Sequence, residues 1–279
     1  SKLEFLIKQA SNLFYFVQNE TNVQDIEAFK HLTRLLNEQC VQMEDGTFIA
    51  VEGNKIAPSS LQNPSDPDAT YRNKGGKKHV GYSLNLVEVR DQKNGAGLIL
   101  SHAYKANSHS DAQYGETFVE NHPLSNEIET LSVDGAYYRQ KTVEKAKEKD
   151  IEMNFSQLTG RSVKDDQIGV DQFTIDPETN QINTCPAGHS PVKATYNEEK
   201  DVYTAKFEKT HCDKCPLRTY CPIQEQKKYN NVRYTGNKLQ TDLVRSQLGT
   251  ERHKELSNYR AGIEGIPSIL RRAFHIDHI

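Results

Sequence analysis

Three acidic residues stand where they could bind a divalent metal ion. Asp134 follows the apolar, β-branched run Leu131–Val133, so it ends a predicted strand, and a flexible glycine comes next. Asp68 precedes another strand-like segment, and Glu264 lies far downstream in a helical pattern. Carboxylate oxygens are the preferred ligands of hard cations such as Mg²⁺. Because an Asp-Gly pair alone predicts only a turn, the hypothesis of a metal site depends on all three acids together.

Two arginines accompany the third acid. Arg260, Glu264 and Arg271 are separated by four and then seven residues, which at about 100° per residue predicts one shared face of a single helix. The simplest interpretation is a surface ion-pair ladder. The alternative is that Glu264 binds metal while the flanking arginines contact phosphate groups.

Four of the five cysteines lie in one short polar region, while Cys40 stands apart in a helical pattern. The four are Cys185, Cys212, Cys215 and Cys221. The Cys-x2-Cys spacing of the middle pair favours a tetrahedral Zn²⁺ site, with His189 and His211 as alternative fourth ligands. Free buried thiols or a disulfide are the other interpretations. Since four thiolates leave no open coordination position, we expect a structural zinc ion that folds a segment too polar to make its own core.

The predicted elements that position these residues begin with two amphipathic helices, over about 2–20 and 26–40, and short hairpin strands over 42–60. An antiparallel meander of three strands follows over about 68–104, with turns at 73–78 and 91–97. Its first turn is basic and contains Lys74, Lys77 and Lys78, which could contact phosphate groups, although a charged turn is more often simply solvated.

After the meander the pattern alternates between helix and strand. We predict a helix over 111–121, a strand over 131–133, a helix over 141–149 and a strand over 151–155. The helical pattern resumes near Asn237 and continues to Phe274, with an interruption around Gly249. Three strands, a helix, a strand, a helix and a strand is the order of the ribonuclease H-like fold. The expected class is therefore α/β, an α+β mixed sheet with helices on it and a small zinc-binding subdomain inserted.

These motifs, in this order, resemble the DDE-type transposases of bacterial insertion sequences. The resemblance rests on Asp68 in Asp-Pro-Asp-Ala, Asp134 in Val-Asp-Gly-Ala-Tyr and Glu264 in an Arg-x3-Glu-x6-Arg helix. It spans about residues 59–274. Two positions depart from the family pattern, since Ser257 stands where the family has Tyr and Arg271 where it has Lys.

Asp66 competes with Asp68 for the role of the first acid. We prefer Asp68 because it directly precedes the strand-like Ala69-Thr70-Tyr71, whereas Asp66, before Pro67, is typical of a turn.

The resemblance implies an enzyme that cleaves DNA at the ends of an insertion sequence and then transfers the strand. It implies that the three acids hold two Mg²⁺ or Mn²⁺ ions, which serve both steps at one site. The DNA contacts it implies are Arg260 and Arg271, beside the three lysines. It also implies a homodimer on DNA and a cytoplasmic bacterial protein, associated with the nucleoid when bound to DNA.

Four regions are expected from the sequence. They are an N-terminal region of helices and short strands over 1–58, a ribonuclease H-like core with the first two acids over 59–159, the cysteine-rich insertion over 160–235, and the returning helix with the third acid over 236–279. The chain starts at Ser1 without an initiator Met, which leaves room for an upstream segment, and such domains usually continue beyond the Glu264 helix.

The charge distribution and the hydropathy of the chain indicate which kinds of partner it could bind. The net charge of the 279 residues is −3, yet residues 205–279 hold fourteen Lys and Arg against eight Asp and Glu, a balance of +6, which leaves −9 for residues 1–204. A basic C-terminal third is compatible with DNA, and no apolar run approaches the ~20 residues of a membrane span. Two other functions fit the same residues, a DNA-binding zinc protein derived from a transposase without catalysis, and a ribonuclease H-like nuclease.

Overall fold

The computed structural model describes residues 1–91, 95–158, 160, 162–164 and 166–276. These form two compact units, Ser1–Ser110 and Asp111–Ile279. Residues 92–94 of the second predicted turn, and residues 159 and 279 at predicted region boundaries, lie outside the described part. No helix within that part is long and apolar enough to cross a membrane.

The first unit begins with the two predicted helices, α1 (Lys2–Val17) and α2 (Glu27–Gln39). Their contact is aromatic, because the rings of Phe14 and Phe29 stack at 5.8 Å. A hairpin of β1 (Cys40–Gln42) and β2 (Phe48–Ala50) follows α2. Residues Gly53–Lys55 form a 3-10 turn, and the hairpin strands predicted over 42–60 do not continue beyond β2.

The predicted meander is confirmed. The strands β3 (Thr70–Lys74), β4 (Lys77–Arg90) and β5 (Gly97–Ala106) pair antiparallel in chain order. The turn between the first two is shorter than predicted, because only Gly75 and Gly76 lie outside the strands, with φ of +59° and +79°. Two adjacent residues with positive φ make the tight hairpin that glycine favours. Lys74 and Lys77 consequently face each other as the last pair of the ladder.

The second unit begins with a helix, which is followed by a strand-helix-strand crossover. Helix α3 (Asp111–Asn121) leads to β6 (Thr130–Val133), α4 (Gln140–Glu148) and β7 (Glu152–Phe155), all within a residue of the prediction. β6 and β7 pair in parallel, so their carboxyl ends lie at one edge. The core under them is apolar and includes Val119, Ala146 and Phe155. Burial of these side chains stabilises the pair.

The cysteine-rich segment folds into strands around a core of its own. It contains β8 (Thr174–Ile175), β9 (Ile182–Thr184), β10 (Lys193–Asn197), β11 (Val202–Glu208), α5 (Lys209–Asp213), β12 (Ile223–Glu225) and β13 (Tyr229–Thr235). Four of the strands form an antiparallel sheet in the order β10-β11-β13-β12. Phe207, Val232 and Tyr234 are buried beneath it. The expectation that this segment is too polar to make a core was wrong, because alternate residues of β11 and β13 are apolar and face one side.

Three helices close the chain, α6 (Gly236–Gln247), α7 (Glu251–Ala261) and α8 (Gly265–Phe274). The predicted break near Gly249 is confirmed. Within the helix predicted through Glu264, residues 262–264 change to 3-10 hydrogen bonding between α7 and α8, while the backbone keeps right-handed helical dihedral angles. Pro267 explains the change, since it has no N–H to donate to the carbonyl of Ile263, four residues earlier.

The fold is therefore a mixed α/β arrangement of several small sheets and helices, consistent with the α+β class. The meander lies in the first unit and the parallel pair in the second. The ribonuclease H-like sheet that would contain both remains a prediction.

Candidate functional site

Asp134 lies at the carboxyl edge of the parallel pair, directly after β6. Its side chain is exposed, and the hydroxyl of Ser156, which follows β7, donates to its Oδ1 at 3.4 Å. The backbone extends the pairing one step further, since the N–H of Ser156 donates to the carbonyl of Val133 at 3.0 Å. The strand pair thus holds the carboxylate rigidly while leaving it open to solvent, as a metal ligand requires.

Gly135 has a steric role in this edge. A Cβ on residue 135 would overlap the carbonyl oxygen of Gln157 and come within 2.9 Å of its carbon. Only glycine permits this approach. The Asp-Gly pair is thus the point where the segments leaving β6 and β7 touch.

The pKa of the Tyr137 phenol responds to the charge of Asp134. Burial raises the pKa of its phenol to about 12, and the negative charges of Asp111 and Asp134 contribute to the same shift. The guanidinium of Arg260 acts in the opposite direction and lowers that pKa. Asp134 and Arg260 thus act on the same phenol with opposite sign.

Arg260 also binds the third candidate acid. Its Nη2 donates to Oε1 of Glu264 at 3.2 Å, and its Nε is buried with no hydrogen-bond partner among the described residues. The Glu264 side chain is 67 % exposed. Glu264 can therefore reach other ligands at little cost, since an exposed ion pair contributes at most about 1 kcal/mol.

Helix α7 is fixed on the strands that present Asp134. His253 Nε2 lies 3.0 Å from the carbonyl oxygen of Phe155, and Arg252 forms an ion pair with Glu152 at 3.1 Å. Leu256 is buried on the same helix. Through α7, the Arg260–Glu264 pair is tied to the sheet that bears Asp134. Ser257, where the family has Tyr, lies 3.4 Å from the same imidazole nitrogen of His253.

The two candidates for the first acid lie in the first unit and have different surroundings. Asp66 accepts a hydrogen bond from the Tyr82 hydroxyl at 2.6 Å, and this bond is the main reason that the pKa of Tyr82 is raised to about 12. The ring of Tyr82 stacks on Tyr104 at 4.8 Å. Asp68 is exposed two residues before β3. Convergence of Asp68 with Asp134 and Glu264 stays a prediction, since the first acid belongs to one unit and the others to the second.

The predicted DNA contacts are all cationic side chains at the surface or on α7. Lys74, Lys77 and Lys78 are exposed at the β3–β4 hairpin, and Arg271 is exposed on α8. Like charges on facing residues destabilise a ladder, so the Lys74–Lys77 pair concentrates positive charge without a structural benefit. Their role in binding DNA remains a prediction.

The four clustered cysteines line one cavity of about 30 Å³ beside the core of the antiparallel sheet. Cys185 forms a tight turn in which its N–H donates to the carbonyl of His189 at 2.9 Å, and the rings of His189 and His211 stack at 4.5 Å. Burial, followed by the neighbouring thiols, raises the pKa of Cys221 to about 11. The volume is sufficient for one ion or water molecule.

Neither the three candidate acids nor the four clustered cysteines are arranged as a formed metal site in the described residues. Within the described ranges, no three His, Cys, Asp or Glu side chains lie close enough together to hold a metal ion. The four cysteines share a cavity, and a Zn²⁺ ion there would require sulfur atoms at ~2.3 Å from the metal.

A second cavity, which the sequence did not predict, lies next to Asp134. It has a volume of about 370 Å³, and its lining combines the residues after β6 and β7 with one face of α6. The lining residues are Gly135, Ala136, Tyr138, Leu158, Thr235, Asn237, Lys238, Thr241 and Arg245. The sequence signal was the spacing of Lys238, Thr241 and Arg245, which are three and four residues apart and so share one helix face.

Comparison with known protein families gives a match to the last third of the chain. A family model described as Transposase DDE domain matches residues 184–279, which is 96 of the 279 residues. The matched segment includes all four clustered cysteines and the Arg260–Glu264 pair. No curated protein and no solved structure matches the chain. The last third of the chain is thus similar to a DDE transposase domain, and this similarity supports a DDE-type transposase.

Proposed function

We propose that this protein is the transposase of a bacterial insertion sequence, which cleaves DNA at the ends of the element and joins the freed strand to a target. One observation carries the proposal. Glu264, inside the segment similar to a DDE transposase domain, follows a helix packed on the two strands whose edge presents Asp134. Arg260, whose guanidinium binds Glu264, and Asp134 also act electrostatically on the same Tyr137 phenol.

The three candidate acids have the ligand chemistry that a hard divalent cation requires. Asp68, Asp134 and Glu264 have exposed carboxylates, and oxygen ligands of this kind suit Mg²⁺ or Mn²⁺. Two such ions, when bound, activate the attacking oxygen and neutralise the charge on the leaving oxygen. The residues of the chain supply the rigid edge for Asp134 and the positive charge of Arg260 for a phosphate.

Two displacements would follow one another at this site. In the first, a water oxygen forms a bond to a DNA phosphorus, the bond to the 3′ oxygen breaks, and that oxygen takes a proton to become a 3′ hydroxyl. In the second, this hydroxyl attacks a phosphorus of the target strand and releases a new 3′ hydroxyl there. The number of phosphodiester bonds is unchanged in the second step, so no further energy source is required.

The surrounding parts have supporting roles in this proposal. Cys185, Cys212, Cys215 and Cys221 hold a structural Zn²⁺ in the cavity that they share. The three hairpin lysines, Arg260 and Arg271 contact DNA. The segments 59–159 and 236–279 form a ribonuclease H-like core that the segment 160–235 interrupts. Two copies act as a homodimer on the two element ends, in the cytoplasm and on the nucleoid.

The test uses the full chain and the DNA that flanks its own coding sequence. Labelled fragments of that DNA, incubated with Mg²⁺ or Mn²⁺ and a plasmid target, should yield cleaved ends with 3′ hydroxyls and labelled plasmid. Cleaved ends without labelled plasmid would favour a nuclease. Binding without cleavage, unchanged in the variant Glu264→Gln, would favour a DNA-binding protein that has no catalytic role.

A further inference from the structure

We propose that the cavity lined by α6 and by the residues after β6 and β7 binds one nucleotide of the DNA strand that is cut, beside Asp134. The inference rests on the proposed function, since it takes DNA as the ligand. It adds a binding site formed mainly by residues outside the predicted catalytic and DNA-binding sets.

The position of the cavity supports a ligand site. Gly135 and Ala136 follow β6, Leu158 follows β7, and the two strands are parallel, so the cavity opens at the carboxyl edge of the pair. Crevices at the carboxyl ends of parallel strands are the usual binding places of α/β proteins. Asp134, at the same edge, is the neighbour of Gly135 in the chain. A ligand in the cavity would therefore lie directly beside the proposed catalytic acid.

The size and lining fit a nucleotide better than an isolated phosphate. A volume of about 370 Å³ falls in the range of small-molecule sites and greatly exceeds that of one anion. Leu158 and Ala136 offer an apolar wall for a sugar or base. The same lining includes the Tyr138 hydroxyl, which lies 3.0 Å from Thr241 Oγ1 and 3.3 Å from Asn237 Oδ1, and this group of polar atoms is able to bind a base edge.

Two cationic side chains give the cavity its preference for a nucleic acid. Lys238 and Arg245 lie on one face of α6, about 10 Å apart along the helix axis. Lys238 is also paired with the buried carboxylate of Asp242, whose Oδ2 accepts from the N–H of Val170 at 3.0 Å, so its charge is partly neutralised. Arg245 differs from Lys238 in shape, because its planar guanidinium can stack on a base as well as bind a phosphate.

The beginning of α6 does not itself provide the anion site. The N–H of Gly236 donates to Asp201 at 3.0 Å, and the N–H of Lys238 donates to the hydroxyl of Thr235 at 3.1 Å. Because these amides already have partners, the side chains that line the cavity, rather than the helix terminus, must recognise the ligand.

The test measures binding without chemistry. Fluorescence anisotropy, in buffer without added divalent cations, compares three short duplexes: one blunt, one with a single unpaired 3′ nucleotide, and one with an abasic unit in that place. The wild-type chain should bind the duplex with the unpaired nucleotide about tenfold more tightly than the other two, the effect of one stacked base. Equal affinity for the abasic and complete overhangs would overturn the proposal, because a phosphate alone would then explain binding.

Three variants separate the cavity from general charge. Arg245→Ala and Ala136→Phe, which removes no charge but fills the cavity, should each abolish the tenfold preference. Arg233→Ala removes an exposed arginine of β13 outside the cavity and should leave the tenfold preference unchanged. A preference that survives both cavity variants would refute the site, and circular dichroism checks that each variant is folded. The outcome is independent of cleavage, since a chain that cleaves DNA without this preference would leave the proposed function intact.

Discussion

The backbone of Gly135 lies against the carbonyl group of Gln157, so closely that any side chain on residue 135 would collide with it. This contact joins the segments that leave β6 and β7. It fixes the direction in which the chain turns after Asp134, and it forms part of the wall of the adjacent cavity.

Replacing Gly135 should therefore destabilise the second unit. We expect Gly135→Ala to lower the free energy of unfolding by about 1–3 kcal/mol, the usual cost of overpacking. Gly265→Ala is the matched control, because a Cβ at that helical position meets nothing within 4 Å and should leave stability unchanged or slightly increased. Thermal unfolding of the two variants decides the matter. Equal melting temperatures would contradict the assigned role of Gly135.

Asp134→Asn should abolish cleavage while the fold persists. Loss of one ligand of the proposed metal pair would remove several kcal/mol of transition-state stabilisation, so we expect a decrease in the cleavage rate of about a thousandfold. The control is Asp150→Asn, at the opposite end of the strand pair, where φ is +57° and Asn is tolerated as well as Asp. Cleavage of labelled DNA by both variants is the measurement. Full activity of Asp134→Asn would rule out this residue as a metal ligand.

The two acids before β3 should differ in the same assay. Asp68→Asn is expected to reduce cleavage as strongly as Asp134→Asn, because Asp68 is the predicted ligand. Asp66→Asn keeps an acceptor for the Tyr82 hydroxyl and should retain most of the activity. The reverse order of effects would assign the first catalytic position to Asp66.

Zinc analysis of the purified chain should give one ion per molecule. Cys215→Ser should lower that value, whereas Cys40→Ser, in the first unit, should leave it unchanged. Because the sheet of β10–β13 has a core of its own, we expect the zinc-depleted variant to keep its secondary structure but to unfold at a lower temperature. A wild-type chain that contains no zinc and melts at the same temperature after treatment with a chelator would refute the site.

Local signals were sufficient for the elements around Asp134. Helix α3, strands β6 and β7 and helix α4 were predicted within one residue, because each has a clear hydrophobic period and polar residues at its ends. The prediction failed at two places in the second unit. Pro267 changes the hydrogen bonding around Glu264, and the core of the cysteine-rich segment forms only when β11 pairs with β13, which follows more than 20 residues later in the chain.

The geometry of the candidate site was less accessible from the sequence. Tyr137, Arg260 and Glu264 are linked only after α7 packs on β6 and β7, and no periodicity within one segment reports that packing. The cavity along α6 depends on the same long-range arrangement. The residue types in the sequence therefore identified the candidate acids. The residues that surround those acids could be identified only from the three-dimensional structure.

The 3-10 turn before α8 gives the third acid a different mechanical setting from the second. A 3-10 segment turns by 120° and rises by about 2.0 Å per residue, against 100° and 1.5 Å in an α-helix. Conversion of residues 262–264 from one pitch to the other would rotate α8 by about 60° relative to α7 and shift it by about 1.5 Å. Asp134 is held at the edge of a strand pair. Glu264 lies between two helices, so a small change of helical pitch there would change the direction of the Glu264 side chain.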